Sequence, residues 1–408
     1  MRMIKGNIRV RCLNLNYYRG RYEDKYLGYT HHSPVGPVGI GYCIQDRLLG
    51  VEAINYFSSD YGEARRKFLE ASRAAGAHIE SFENHFTGPE GESLFTDVAL
   101  IGPNNASTIL VLGSGTHGVE GFTGSAIQTG LLSEGFNSVQ KLGLGILFIH
   151  AINPYGFAHL RRFNEVNVDV NRNFVDHSKP HPVNPGYEEL TEAISPNSIS
   201  FWANVKSIFK LFRYRLINGK EDLRKAISGG QYTDPQGIFY GGPNETWSNK
   251  TIGTIAKRYL SNAERVVFID FHTGLGPYGN VEVILNEKEH SPAYKRAVEW
   301  WGDIAQTTTS GKSVSGHLQT TLKLAIPKIL PDTEVTAVSL EFGTFSALKV
   351  FWALREENWL HNYGTKDYPG RSRIKTKLLR MFYPDDDTWK LKVWKQGKEI
   401  VGQALAHF

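Results

Sequence analysis

The sequence predicts a three-layer α/β/α fold around a mixed, mostly parallel sheet. Three observations carry that expectation. Near-continuous apolar runs of strand length recur along the chain, as they do where helices cover both faces of a sheet. Helix-like segments alternate with them, the rhythm of an α/β layout. Two of the runs lead into glycine-rich turns with His or Glu close by, which puts polar chemistry at the carboxyl ends of strands.

Structured sequence begins near Val51. Asp60 with Glu63 three residues later reads as a capping box, and Ala64, Phe68, Leu69 and Ala71 then share one helical face up to the stop at Gly76. Segments 78–87 and 93–102 read as paired strands joined through Gly88-Pro89-Glu90-Gly91. Further strands are expected at 108–112, 145–152, 265–271, 281–285 and 336–342, with helix-like segments at 121–132, carrying on to 133, and at 293–306. Residues 176–250 interrupt the rhythm with an amphipathic candidate helix over 201–212, a charged patch over 220–225 and a loop running from Gly237 to Pro243. So long a connection in a compact domain is usually functional, and this one is expected to roof a site. Val393, Ile400, Val401, Ala404 and Leu405 fit a closing helix.

A length of 408 residues suits one large α/β domain or two ordinary ones. No apolar run approaches the length of a membrane span, and the N-terminus lacks the layout of a signal peptide. No membrane partner is therefore expected. Two cysteines, Cys12 and Cys43, exclude a disulfide framework and make a cytoplasmic setting the default. The net charge of +5 arises entirely within residues 1–50, where eight Lys/Arg face three acids. The rest is neutral, so the high isoelectric point is no sign of a nucleic-acid partner. Residues 1–50 read as a basic, poorly ordered extension, and residues 51–408 as the main folded domain with an insertion at about 176–250.

Chemistry concentrates in four places. The run Thr108-Ile109-Leu110-Val111-Leu112 enters Gly113-Ser114-Gly115-Thr116-His117-Gly118-Val119-Glu120. A hydrolytic zinc site takes three ligands from His, Glu or Asp and keeps one position open; His117 and Glu120 supply two. A second strand end, Asp270-Phe271-His272-Thr273-Gly274, offers His272 as the third, with Asp270 on the same side to orient a ligand. Glu341 lies among apolar neighbours in Ser339-Leu340-Glu341-Phe342-Gly343, where burial would raise its pKa toward that of a general base. Finally, Asn153-Pro154, Arg161-Arg162 and Asp169-Val170-Asn171-Arg172-Asn173-Phe174 follow one strand, and arginines there suit a carboxylate or an oxyanion.

Taken together and in this order, these motifs resemble the zinc carboxypeptidase (M14) superfamily. Within it the chain looks most like the DUF2817 group, with features of the aspartoacylase and succinylglutamate desuccinylase branch: the short spacing from Arg162 to Arg172, Asp270-x-His272-Thr273 and Glu341-x-Gly343. The resemblance runs from about Val51 to the C-terminus. It implies the carboxypeptidase-like form of the fold and one Zn2+ ion on His117, Glu120 and His272. It gives Glu341 the role of general base and acid, and one of Arg161 and Arg162, with Arg162 favoured, that of oxyanion stabiliser. Asn171 and Arg172 would hold the substrate's carboxylate, and Tyr240 in the insertion could approach the site. The implied activity is hydrolysis of an amide bond beside a free carboxylate, in a small peptide or an N-acyl amino acid.

Rival classes fare less well. G-x-G-x-x-G occurs at Gly113–Gly118 and again at Gly274–Gly279, but a NAD-binding unit needs a following helix and an acid at the end of the next strand. The strand after the first copy ends in His150-Ala151-Ile152-Asn153, and the second copy contains Pro277 and leads to another strand. No Gly-x-Ser-x-Gly elbow is present, and Gly311-Lys312-Ser313 lacks the upstream glycine of a P-loop. An inactive ligand-binding relative is disfavoured because all three ligand positions and Glu341 are present.

Overall fold

The computed structural model describes residues 52–136, 143–285, 290–302 and 331–408. The expected N-terminal extension, the end of the expected helix beyond Gly302, and Gly311-Lys312-Ser313 lie outside them. All the described residues belong to the compact unit Leu48–Phe408.

In chain order the helices are α1 (Tyr61–Ala74), α2 (Gly121–Glu134), α3 (Pro154–Ala158), α4 (Val170–Asn173), α5 (Pro185–Ile194), α6 (Phe201–Asn218) and α7 (Lys220–Ser228). They continue with α8 (Trp247–Tyr259), α9 (Pro292–Trp301), α10 (Ala347–Tyr363), α11 (Arg371–Phe382) and α12 (Asp387–Leu405). The strands are β1 (His78–Thr87), β2 (Ser93–Ile101), β3 (Thr108–Ser114), β4 (Gly145–His150), β5 (Arg265–Gly274), β6 (Val281–Ile284) and β7 (Glu334–Gly343). They form a seven-stranded sheet in the order β1-β2-β4-β3-β5-β7-β6. The centre, β4-β3-β5-β7, is parallel, while β2 and β6 run antiparallel to their neighbours. The mixed, mostly parallel sheet matches the expectation from the apolar runs.

Period-two alternation sends each strand's side chains into two layers. Leu110, Leu112, Phe148 and Ile269 pack under α1, α2, α9 and α12 through Phe68, Ile127, Trp300 and Val393. Ile109, Val111, Leu147 and Phe268 pack on the other side under α8, through Ile252, Ile255 and Tyr259. Asp60 caps α1 as read, its Oδ1 accepting from the Glu63 N–H at 2.8 Å, while Glu63 Oε2 accepts from the Ser59 N–H, one residue before the cap, at 2.8 Å.

Helix α2 begins at Gly121, as the sequence predicts, and is buried nearly all round. Its glycines are spacers: a Cβ on Gly124 would come within 2.6 Å of the Ser114 side chain. Close packing there outweighs the poor helix propensity of glycine. In the insertion the charged patch becomes α7. Helices α5, α6 and α7 build a third apolar cluster with α10, α11 and the loop at Ile238-Phe239, through residues such as Leu190, Leu211, Ala226 and Leu354. Periodicity does not single out α10, because its buried face includes Arg355, Glu357 and Asn358.

One consequence of the strand order places the site. From β3 the chain crosses to β4 on one side, whereas β5, on the other side of β3, leads toward β6 and β7. The strand order reverses between β3 and β5, and such a crevice at the carboxyl ends is where α/β sheets bind ligands.

Candidate metal centre

Gly115 has φ +70° and turns the chain out of β3, a conformation that glycine adopts at little cost. His117 then caps a single 3-10 turn ending at Glu120, which brings residues three apart into line. His117 Nδ1 lies 3.0 Å from Glu120 Oε1. From β5, His272 Nδ1 reaches Glu120 Oε2 at 3.2 Å, and the Thr273 N–H donates to the same oxygen at 3.0 Å. All three side chains are buried, and their ligating atoms lie within 4.8 Å of one another.

The far nitrogen of each imidazole meets a carboxylate. His117 Nε2 is 3.1 Å from Asp169 Oδ1, and His272 Nε2 is 2.7 Å from Asp270 Oδ2. The Thr116 hydroxyl holds both Asp270 oxygens, at 2.9 and 3.0 Å. Asp169 is fixed as the N-cap of α4, accepting from the Asn171 N–H at 3.0 Å. Such partners orient metal-bound imidazoles and select their tautomer. Burial would lower His272, yet Asp270 and Glu120 carry it well above its ordinary pKa. Burial would raise Glu120 and Asp169, but His117 and Arg162 hold both below the usual carboxylate range. Two convergent imidazole nitrogens, a buried carboxylate and a field that draws positive charge fit a zinc ion.

Glu341 on β7 is in register with His272 on the adjoining parallel strand, so both face the same way. Its Oε2 is buried without a hydrogen-bond partner. Burial pushes this carboxyl up to about 7; the Glu120 charge adds to the rise, and His272 opposes it. Arg162 donates to Glu120 Oε1 at 2.8 Å and to Asp169 Oδ2 at 3.1 Å, and stands 2.8 Å from His117 Nε2. These groups open on a cavity of about 480 Å³ that also receives Asn171 and Arg172. Arg172 donates from Nη2 to the Ser228 carbonyl at 3.1 Å, while its Nε and the Asn171 Oδ1 are buried without partners. Much of the remaining wall is apolar, including Leu223, Ile227, Phe239, Phe351, Leu354 and Phe382.

Two expected site residues lie elsewhere. Arg161 is buried, with Nε donating to Glu357 Oε1 at 2.9 Å and Nη2 to Asn167 Oδ1 at 2.8 Å, so its guanidinium is spent on the interior rather than on an oxyanion. Consecutive residues in this loop point opposite ways, and Arg162 alone of the pair lines the cavity. Tyr240 is buried and lies outside the cavity wall; its carbonyl accepts from the Asp169 N–H at 2.8 Å. Phe239, at φ +58°, faces the cavity instead, 5.4 Å from the Arg162 guanidinium. Asp169, which meets both His117 and Arg162, is the residue of this cluster to which the sequence gives least weight; its signal is its place two residues before Asn171.

This cluster, on the rim of a mixed sheet, has the composition of a site that could hold a metal ion. The chain belongs to the family described as "Protein of unknown function (DUF2817)", whose model matches residues 57–396. Among solved structures it is similar to bovine thrombin-activatable fibrinolysis inhibitor in complex with tick carboxypeptidase inhibitor (11% identity, 85% of this chain and 98% of that one covered, TM-score 0.40). It is also similar to carboxypeptidase A from Helicoverpa armigera (13% identity, 89% and 81% covered, TM-score 0.41). A third similar structure is a succinylglutamate desuccinylase from Silicibacter sp. TM1040 (13% identity, 71% and 67% covered, TM-score 0.35). No curated protein matches the chain.

Proposed function

We propose that this protein is a zinc-dependent hydrolase that cleaves an amide bond next to a free carboxylate. The observation that carries the reading is one cavity lined by His117 and His272 of the buried cluster with Glu120, by Glu341 with an unpartnered oxygen, and by Arg172 with a buried, unused Nε–H. Zinc held by His117, Glu120 and His272 would polarise the scissile carbonyl and lower the pKa of water. Burial raises the Glu341 carboxyl above its ordinary range, which suits it to exchange a proton with water. Glu341 takes a proton from the attacking water and returns it to the leaving nitrogen. Arg162 offers its guanidinium to the oxygen that gains charge. Arg172 Nε, with the Asn171 amide turned to donate, receives the substrate carboxylate.

The apolar wall favours the deacylase form of this reading over the peptidase form. Leu223, Ile227, Phe351, Leu354 and Phe382 give an acyl chain apolar surface to lie on. Glu341→Gln should retain zinc in full and lose turnover of every substrate, measured on the zinc-loaded protein against C-terminally free peptides and N-acyl amino acids side by side. Retained turnover removes Glu341 as the base. Equal cleavage of amidated substrates removes the carboxylate site.

A further inference from the structure

Helix α6 carries an apolar face that nothing among the described residues covers. Phe201, Trp202, Phe209 and Leu216 are 70, 75, 67 and 70% exposed, with Ile208 and Phe212 exposed beside them. At about 100° per residue they occupy one continuous sector of about 120°. The opposite side, through Ser207 and Leu211, is what holds the helix to the fold. A helix with an apolar outer face is not explained by packing within a globular fold.

Charge then selects the occupant. The helix has no acidic residue; Lys206, Lys210 and Arg213 border the apolar sector on one side and Arg215 on the other. Lys206 and Lys210 have only a loose, shared pairing with Glu192, at 3.6 and 4.0 Å. Aromatic and aliphatic side chains between two basic edges match the depth profile of a bilayer surface, with hydrocarbon below and anionic headgroups around. A second copy docked face to face would bring like charges together instead. The absence of a membrane-spanning run is no objection, because a helix lying in the interface has no span to make.

We propose that α6 seats the protein on an anionic lipid bilayer, with its apolar face in the headgroup region and the cavity mouth beside the lipid. The mouth is close to the helix: Arg215 of α6 and Lys220 of α7 line the cavity, as does the 65% exposed Leu348. Resting on the hydrolase reading above, this position names the substrate class. It is an amphiphilic amide, an amino acid N-acylated by a long apolar chain. The chain runs along Leu223, Ile227 and Phe351, and the carboxylate meets Arg172.

The test is flotation of the full-length protein with vesicles of phosphatidylcholine, alone or mixed with phosphatidylserine. The wild type should float with the anionic vesicles. The variant F201S/W202S/F209S/F212S, changed only at exposed positions, should lose about tenfold or more in apparent affinity while keeping its thermal melt. K206E/K210E/R213E should lose the preference for phosphatidylserine. Wild type that does not float, or an apolar-face variant that floats equally well, overturns the proposal. So does a dimer that the apolar-face variant dissolves without any flotation, which would give the face to a second copy. A parallel assay compares N-palmitoylglycine in vesicles with N-acetylglycine in solution. The wild type should exceed the apolar-face variant on the first and equal it on the second. Flotation without turnover of either substrate sinks the hydrolase reading and upholds the lipid surface; turnover without flotation does the reverse.

Discussion

Arg161 and Arg162 are chemically identical neighbours with opposite employment. Arg161 shares buried Glu357 with Lys375, whose Nζ donates at 2.7 Å. Burial would raise Glu357, yet these two cations hold it at about 2. Taking away one partner of a buried pair is costly. Arg161→Met should therefore lower stability by about 3 kcal/mol in urea unfolding and leave zinc stoichiometry and KM unchanged. Arg162→Met should instead lower kcat by about a hundredfold. An Arg161 variant of normal stability and no activity would exchange the two roles.

At the scale of the element, the ligand-bearing turn is held by backbone-to-backbone contact. The Val119 N–H donates to the Arg161 carbonyl at 2.8 Å, and the Gly118 N–H to the Arg162 carbonyl at 3.3 Å. A Cβ on Gly118 would overlap the backbone of Gly156 and Phe157. The turn is thus docked on α3, whose own start is fixed by the Asn153 side chain accepting from the Gly156 N–H at 2.9 Å. Gly118→Ala should push Glu120 out of line with the two imidazoles. We expect zinc affinity to fall by about 10–100-fold, the cost usual for disturbing a ligand's support, as read by competition with a chromogenic chelator. Unchanged affinity would mean that the turn yields without moving its ligands.

Across the whole molecule, acid stability draws on histidines that burial keeps neutral, His361 and His150 among them. His150, at the end of β4, stacks on Phe68 with ring centroids 4.5 Å apart, and its Nε2 is 3.0 Å from the Ser125 hydroxyl. Burial lowers its pKa from 6.5 to about 4. Between those two values the unfolded chain is protonated at His150 while the folded chain is not. Stability therefore falls as the pH drops through this window, by up to about 3 kcal/mol, and gains nothing from His150 above it. His150→Leu should flatten the pH dependence of the urea midpoint there, whatever it does to stability at neutral pH; an unaltered slope would assign the effect to another group. The same structure divides what is local from what is not. Apolar runs and the Asp60 cap are legible in the sequence because each depends on a few consecutive residues, whereas His117, Glu120, His272 and Glu341 stand out only together, by their order along the chain. The existence of α10, the parting of Arg161 from Arg162, the exchange of Tyr240 for Phe239 and the bare face of α6 are decided only in the tertiary structure. There, a side chain's direction and burial are set by partners tens to hundreds of residues away. Periodicity marks a face as apolar, and packing alone determines whether it meets the core or the solvent.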